Sequence, residues 1–387
     1  AGMKVKEWGK RFFSGRVRFD RNELSGAFGD IGTDLPLLLG LMRICGLDPA
    51  STLIMFGLLQ IFTGIIYGIP MPVQPLKAMS VLMISSRYNP NLLYGAGLSI
   101  GVVMFFLTSI GLLEILTRIV PKSVVRGIQV GLGITLANTA LKNFLPAEGG
   151  KGYLLAFFAF AIVVLLWGNR KYPPGLWVIL LGVAYTLFSG ISWDALRSGV
   201  GWGFPKFHIP ARDDILQGFY LLALPQIPVS LSNSLIASAR TARDLFGDKA
   251  PSLRKIGFTY SLMNLINPWF SGIPTCHGAG GMAGHYTFGA RTGGSVIIYG
   301  SIYLLIGLFF HRAFSEVLTL FPPPILAVLL LFESVGLMAL MRDIAGNKTD
   351  LLICLLTAMM CFGLPQGFVI GLILGSFLHY LFSIRGG

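Results

Sequence analysis

The sequence predicts an all-α polytopic membrane protein, with fourteen transmembrane segments arranged as a 7+7 inverted repeat and short extended breaks before half-helices 3 and 10. Three observations carry this expectation. Of the 387 residues, 54% are hydrophobic and only 12% charged, about half the charge of a soluble domain. Apolar runs of about 17–25 residues, the length that spans a bilayer as a helix, recur from Leu24 onward. A motif in the first half, Gly68-Ile69-Pro70, returns in the second as Gly272-Ile273-Pro274, each time followed by residues that cannot simply continue an apolar helix.

Spans are expected near 24–42, 50–67, 74–86, 92–117, 122–144, 152–168 and 175–190, then near 214–238, 252–271, 277–290, 294–311, 322–341, 349–362 and 365–384. The organisation that follows is a basic surface segment (1–22), a first repeat (23–190), an extracytoplasmic connector (191–213) and a second repeat (214–387). Residues 4–19, with Trp8, Phe12, Phe13, Val17 and Phe19 among basic residues, suit a helix lying on the membrane surface, and no signal peptide is read there. With both termini cytoplasmic, 21 of the 30 Lys and Arg residues are assigned to the cytoplasmic side, 8 to the outer side and Lys77 to the membrane interior. That bias satisfies the positive-inside rule and accounts for the net charge of +13 without nucleic acid. Seven is odd, so the two halves insert with opposite orientation, the plan of many secondary transporters. The four cysteines have neither disulfide nor zinc-site spacing and read as small apolar fillers.

Irregular backbone at membrane depth survives only where protein or a water-filled cavity satisfies it. Residues 69–75 are expected to be extended, with Pro75 in the first turn of a short helix; residues 272–276 are expected to be extended before a helix opening near His277-Gly278-Ala279. Opposed helix N-termini carry unpaired N–H donors and partial positive charge, and a Gly-rich start at Gly278 and Gly280 lets a ligand approach them. Lys77 adds a full charge, so the pocket suits a dianion. The other reading of Lys77 is a structural pair with Asp30 or Asp34. Gln74, Pro75, Lys77, Gln226, Ser230, His277, Gly278, Ala279 and Gly280 are the candidate substrate-binding residues. Asp30, Asp34 and Glu333 are candidates for proton coupling, because a carboxylate beside an anion repels it unless protonated or paired. Asp30 or Asp34 can instead serve as a cap at the helix break, Asn233 and Ser234 as interhelical glue, and His277 as a satisfied hydrogen-bonding histidine. His285, His311 and His379 carry no expected chemistry.

Four blocks resemble the signatures of the molybdate transporter family, a branch of the sulfate-permease superfamily: residues 22–41 (NELSGAFGDIGTDLPLLLGL), 66–79 (IYGIPMPVQPLKAM), 224–234 (LPQIPVSLSNS) and 272–292 (GIPTCHGAGGMAGHYTFGART). The resemblance implies the uracil-permease-like fold, a core domain of spans 1–4 and 8–11, a gate domain of spans 5–7 and 12–14, and a substrate site between spans 3 and 10. Asp30, Gln74, Lys77, Gln226, His277 and Gly278 match the motifs. Asp34 departs from them, since plant members carry uncharged, often aromatic residues there. The chain ends at Gly387 without the STAS domain typical of sulfate permeases, which favours the molybdate branch.

The expected function is secondary import of a tetrahedral oxyanion, molybdate first, by alternating access with possible proton coupling. A sulfate or general oxyanion carrier, a nucleobase carrier and an uncoupled channel or facilitator are the alternatives. No cofactor or metal is expected, and no enzyme chemistry, since neither a P-loop, a metal-ligand cluster nor a nucleophile–base pair is present. Partners are the oxyanion, membrane lipid and a possible second copy through the gate domain; the location is a bacterial-type inner membrane.

Overall fold

The computed structural model describes residues 16–113, 115, 119–169, 172–188 and 193–385; most of the expected surface segment lies outside the described residues. The first half runs α1 (Arg21–Ala27), α2 (Ile31–Cys45), α3 (Pro49–Tyr67), β1 (Val73–Pro75), α4 (Lys77–Ser86), α5 (Pro90–Ser109), α6 (Lys122–Thr139), α7 (Gly149–Leu165) and α8 (Pro174–Phe188). After α9 (Trp193–Ser198) the second half runs α10 (Arg212–Gly218), α11 (Leu224–Val229), α12 (Ser238–Phe246), α13 (Leu253–Ile266), β2 (Thr275–His277), α14 (Ala279–Thr287), α15 (Gly294–Phe309), α16 (His311–Leu320), α17 (Pro323–Ala339), α18 (Lys348–Gly363) and α19 (Gly367–Arg385).

Local chemistry sets many of these boundaries. Asp48 and Asn89 accept hydrogen bonds from the first-turn amides of α3 and α5, each followed by a proline at the first helical position. Gly46 and Gly68 close α2 and α3 with φ of 72° and 67°. Between α10 and α12 the rod widens into π-helical turns at Phe219–Ala223 and Ser230–Ala237. The second of these begins two residues after Pro228, which has no N–H to give to the helix. In the first half the break precedes α2, at residues 28–30, and Pro36 is carried inside the helix.

Six helices among the described residues are long and apolar enough to cross a membrane, or seven if the 96° bent pair α15–α16 counts as one span. Helix α4, at 10 residues, is about 15 Å long and cannot cross a core of about 30 Å alone. Helix α16, absent from the sequence expectation, is amphipathic and held by Arg43, which donates to the carbonyls of Leu318 and Phe321. Helices α3 and α15 meet along a glycine seam: a Cβ on Gly57 would stand 2.6 Å from the Gly300 carbonyl oxygen, and one on Gly64 2.7 Å from that of Gly293. The connector after α9 crosses the ends of these helices, with the amides of Gly201 and Gly203 donating to Phe309 and Leu308, and Lys206 paired to Asp48 at 2.6 Å. Its Trp202, Phe204 and Phe207 are exposed, as suits an aromatic belt at a membrane interface.

Candidate anion site

Strands β1 and β2 pair antiparallel, with Val73 opposite His277, Gln74 opposite Cys276 and Pro75 opposite Thr275. Each strand is followed at once by a half-helix, α4 or α14, so the two half-helices leave the pair in opposite directions. Residues 67–76 and 271–278 are all buried. Two extended segments deep inside a protein must find hydrogen-bond partners for their outer edges. Matching side-chain amides supply them. Gln60 on α3 donates to the Val73 carbonyl at 2.7 Å and accepts from its N–H at 2.9 Å. Asn264 on α13 does the same for Thr275, at 2.7 and 2.9 Å, while Asn267 donates to Ile273. The sequence reading missed these three amides. Their signal is an amide in an apolar stretch shortly before each break, Gln60 in the first half and Asn264 and Asn267 in the second.

Pro75 lies in the strand, and α4 begins two residues later at Lys77, so the expectation of Pro75 in the helix is corrected. A proline also suits a strand position where no N–H is needed, and here the Leu76 N–H bonds the Pro274 carbonyl instead. On the second strand the helix opens as anticipated: Gly278 is the cap residue and Ala279 the first residue of α14.

The predicted side chains converge around this crossing. Gln74 donates from Nε2 to both Asp30 oxygens, at 2.7 and 2.8 Å, and the Thr33 hydroxyl also bonds Asp30. Asp30 is the cap residue of α2 but makes no side-chain cap bond, so the helix-cap reading is not what the geometry shows. Asp34, one turn on, is buried beside Asp30. Lys77 Nζ lies 2.7 Å from Glu333 Oε1 on α17; the lysine's structural partner is therefore Glu333 rather than Asp30 or Asp34. Gln226 accepts from the Ala78 and Met79 amides at 2.8 and 3.2 Å, capping α4, and its own amide donates to Ser230, which meets the Tyr260 hydroxyl at 2.8 Å. His277 is 2.8 Å from the Thr259 hydroxyl and edge-on to Tyr67, a buried hydrogen-bonded histidine. Asn233 accepts from Arg126, consistent with an interhelical role.

The two half-helix starts therefore differ. The start of α4 is occupied by Gln226, whereas no side chain among the described residues is seen to bond the first amides of α14. Gly280 is exposed and a Cβ added there would meet nothing within 4 Å. Gly278 and Gly281 do the opposite: side chains there would run into Gln74 and the Asp30 carboxylate. Lys77 is 26% exposed against 4% for Glu333, so the lysine is the less enclosed partner of the pair. A cavity of about 490 Å³ extends from Thr33 and Glu333 past Trp167, Asn169 and Phe288. A second, of about 290 Å³, lies by α11 and is lined by Lys122, Arg126, Arg240 and Asp343. No group of His, Cys, Asp and Glu among the described residues could hold a metal ion.

The amide clamps make a direct prediction. Asn264→Leu leaves the Thr275 N–H and carbonyl buried without partners, at about 1–3 kcal/mol each. A thermal melt of the purified variant should be several degrees lower than wild type, and an unchanged melt would remove the clamp from the account.

Comparison with known proteins matches this architecture to membrane transporters. The transmembrane domain of the cyanobacterial bicarbonate transporter BicA superposes with a TM-score of 0.67 at 15% identity, covering 94% of this chain and 98% of that one. Murine Slc26a9, an anion transporter in the inward-facing state, gives a TM-score of 0.72 at 13% identity, covering 97% and 70%. At such identities the likeness is one of fold: an integral membrane protein built like the SLC26 and BicA transporters. Residues 22–136 and 218–337, more than half of the chain, match the family described as "Molybdate transporter of MFS superfamily". "Molybdate transporter 2" of Arabidopsis thaliana is 34% identical over 91% of this chain and 86% of its own length. "Molybdate transporter 1" of Chlamydomonas reinhardtii is 26% identical over 91% and 90%. The chain belongs to the molybdate transporter family.

Proposed function

We propose that this protein is a secondary transporter that imports a tetrahedral oxyanion, molybdate before sulfate, by alternating access. The observation that carries the reading is the glycine-bare start of α14, which no side chain among the described residues is seen to cap, together with the partly exposed Lys77 at the start of the other half-helix: two sources of positive charge flanking one buried strand pair. Gln74 and Gly278 shape the floor of that pocket; Ala279 and Gly280 present N–H donors; Gln226 and Ser230 hold α4 in place; Pro75 and His277 fix the strand pair. The names of the relatives favour molybdate as the substrate. In this reading fourteen segments form the inverted repeat, the broken spans each counting a strand and a half-helix. Support comes from the matched β1–α4 and β2–α14 units and their matched amide clamps. Spans 1–4 and 8–11 form the core, and spans 5–7 and 12–14 the gate against which it moves. Both termini lie in the cytoplasm of an inner-membrane protein bathed in lipid, and a second copy can pack through the gate side.

Asp30 and Asp34 share one buried pocket, where two carboxylates repel unless a proton is held between them. We assign the coupled proton to this pair. Uptake should then rise as external pH falls, because the protonated pocket repels the incoming anion less. Asp30→Asn should flatten that profile; a profile unchanged from wild type would remove Asp30 from coupling. The function itself is tested by labelled molybdate uptake into proteoliposomes under an inward proton gradient, with excess unlabelled sulfate in parallel. Uptake that grows with the gradient and survives sulfate is expected. Uptake erased by sulfate would make this a general oxyanion carrier, and uptake indifferent to the gradient a facilitator.

A further inference from the structure

We propose that the Lys77–Glu333 ion pair is a latch that the transported anion opens: the oxyanion and the Glu333 carboxylate compete for one ammonium, so that binding releases α17 from α4. This deepens the reading of the crossing as an oxyanion site and rests on it. Lys77 is the first residue of α4, and its ammonium contacts Glu333 Oε1 at 2.7 Å, across a sequence separation of 256 residues. In that state the lysine charge is already neutralised. Asp30 and Asp34 also act on the same ammonium. A dianion arriving at the α14 start would meet a pocket whose side chains carry no net positive charge. The partial charge of one helix end, about half a unit, does not balance it. Binding therefore requires Lys77 to exchange partners. The geometry allows it: the lysine side chain is 26% exposed while the glutamate is 4% exposed, so the lysine is the less enclosed of the two partners. The freed carboxylate also has somewhere to go, because Glu333 lines the 490 Å³ cavity. The consequence is mechanical. The two partners stand on helices from opposite halves of the chain, and in the proposed division one belongs to the core and the other to the gate. An empty carrier stays latched, and a loaded one is free to move.

The test uses the full chain, purified in detergent, with molybdate titrated calorimetrically at one fixed pH. Glu333→Gln removes the competing charge while keeping the side chain's size, and should bind molybdate several-fold to tens-fold more tightly than wild type. Glu333→Asp, which withdraws the carboxylate by one methylene, should change affinity in the same direction to a smaller extent, and stands in if the glutamine variant does not fold. A second readout follows the helix itself. Gly336, one turn from Glu333, lines the same cavity, and a Cβ there meets nothing within 4 Å; the four native cysteines are buried. In a Gly336→Cys protein, molybdate should change the maleimide-labelling rate several-fold, and adding Glu333→Gln should produce the loaded rate without molybdate. If wild type binds molybdate but the Glu333 variants bind no more tightly, or if labelling ignores molybdate, the latch is wrong and the anion site stands. If wild type binds none of molybdate, tungstate and sulfate, the site reading falls and takes the latch with it.

Discussion

Lys77→Gln is expected to reduce molybdate affinity by at least about a hundredfold and to abolish uptake. A unit charge pair at about 4 Å is worth about 4 kcal/mol at an effective dielectric near 20, and a hundredfold in affinity corresponds to about 2.7 kcal/mol, so the charge is large enough to dominate binding. The same substitution leaves Glu333 buried without its partner, which costs stability on its own. Thermal melts separate the two effects. The double variant Lys77→Gln with Glu333→Gln removes both charges and should melt close to wild type, yet still fail to bind. Restored binding in the double variant would mean that the lysine serves the fold and not the anion.

The second large effect is steric. Gly281→Val should abolish uptake, because any Cβ at this position collides with the Asp30 carboxylate and the Gln74 amide, and valine adds two methyl groups to that collision. The Gln74–Asp30 contact, two hydrogen bonds at 2.7 and 2.8 Å, would have to open, and with it the joint between α2 and β1. Gly280→Ala is the matched control: its Cβ has open space, so the protein should fold and melt as wild type. Retained uptake in Gly281→Val would show that the Asp30–Gln74 joint is not required for transport.

Much of this site was legible from residue types. Prolines at 70, 72, 75 and 274, glycines from 278 to 284 and a lysine in an apolar run each contradict an unbroken membrane helix, and the structure breaks the chain at those places. Helix positions followed the apolar runs closely, since length and hydropathy act locally. Partners were harder. Nothing near Lys77 in sequence names Glu333, because periodicity says which face of a helix is polar but not which distant helix that face will meet. The polar stripe places Gln226 at the pocket but does not say that its carbonyl oxygen caps α4. The roles of Gln60 and Asn264 are hidden in the sequence for a related reason. A single amide on an apolar helix has many possible uses, and only the strand lying beside it reveals which. Pro75 illustrates a different ambiguity, since a fixed φ and a missing N–H suit a helix start and a strand equally well.

The place of the anion can be seen by heavy-atom scattering. Tungstate has the charge and shape of molybdate, so crystals of this protein grown with tungstate would report its position by anomalous diffraction at the tungsten edge. One dominant peak is expected within hydrogen-bonding reach of the Ala279 and Gly280 amides and the Lys77 ammonium. A dominant peak among Lys122, Arg126 and Arg240, with none at the strand crossing, would contradict it.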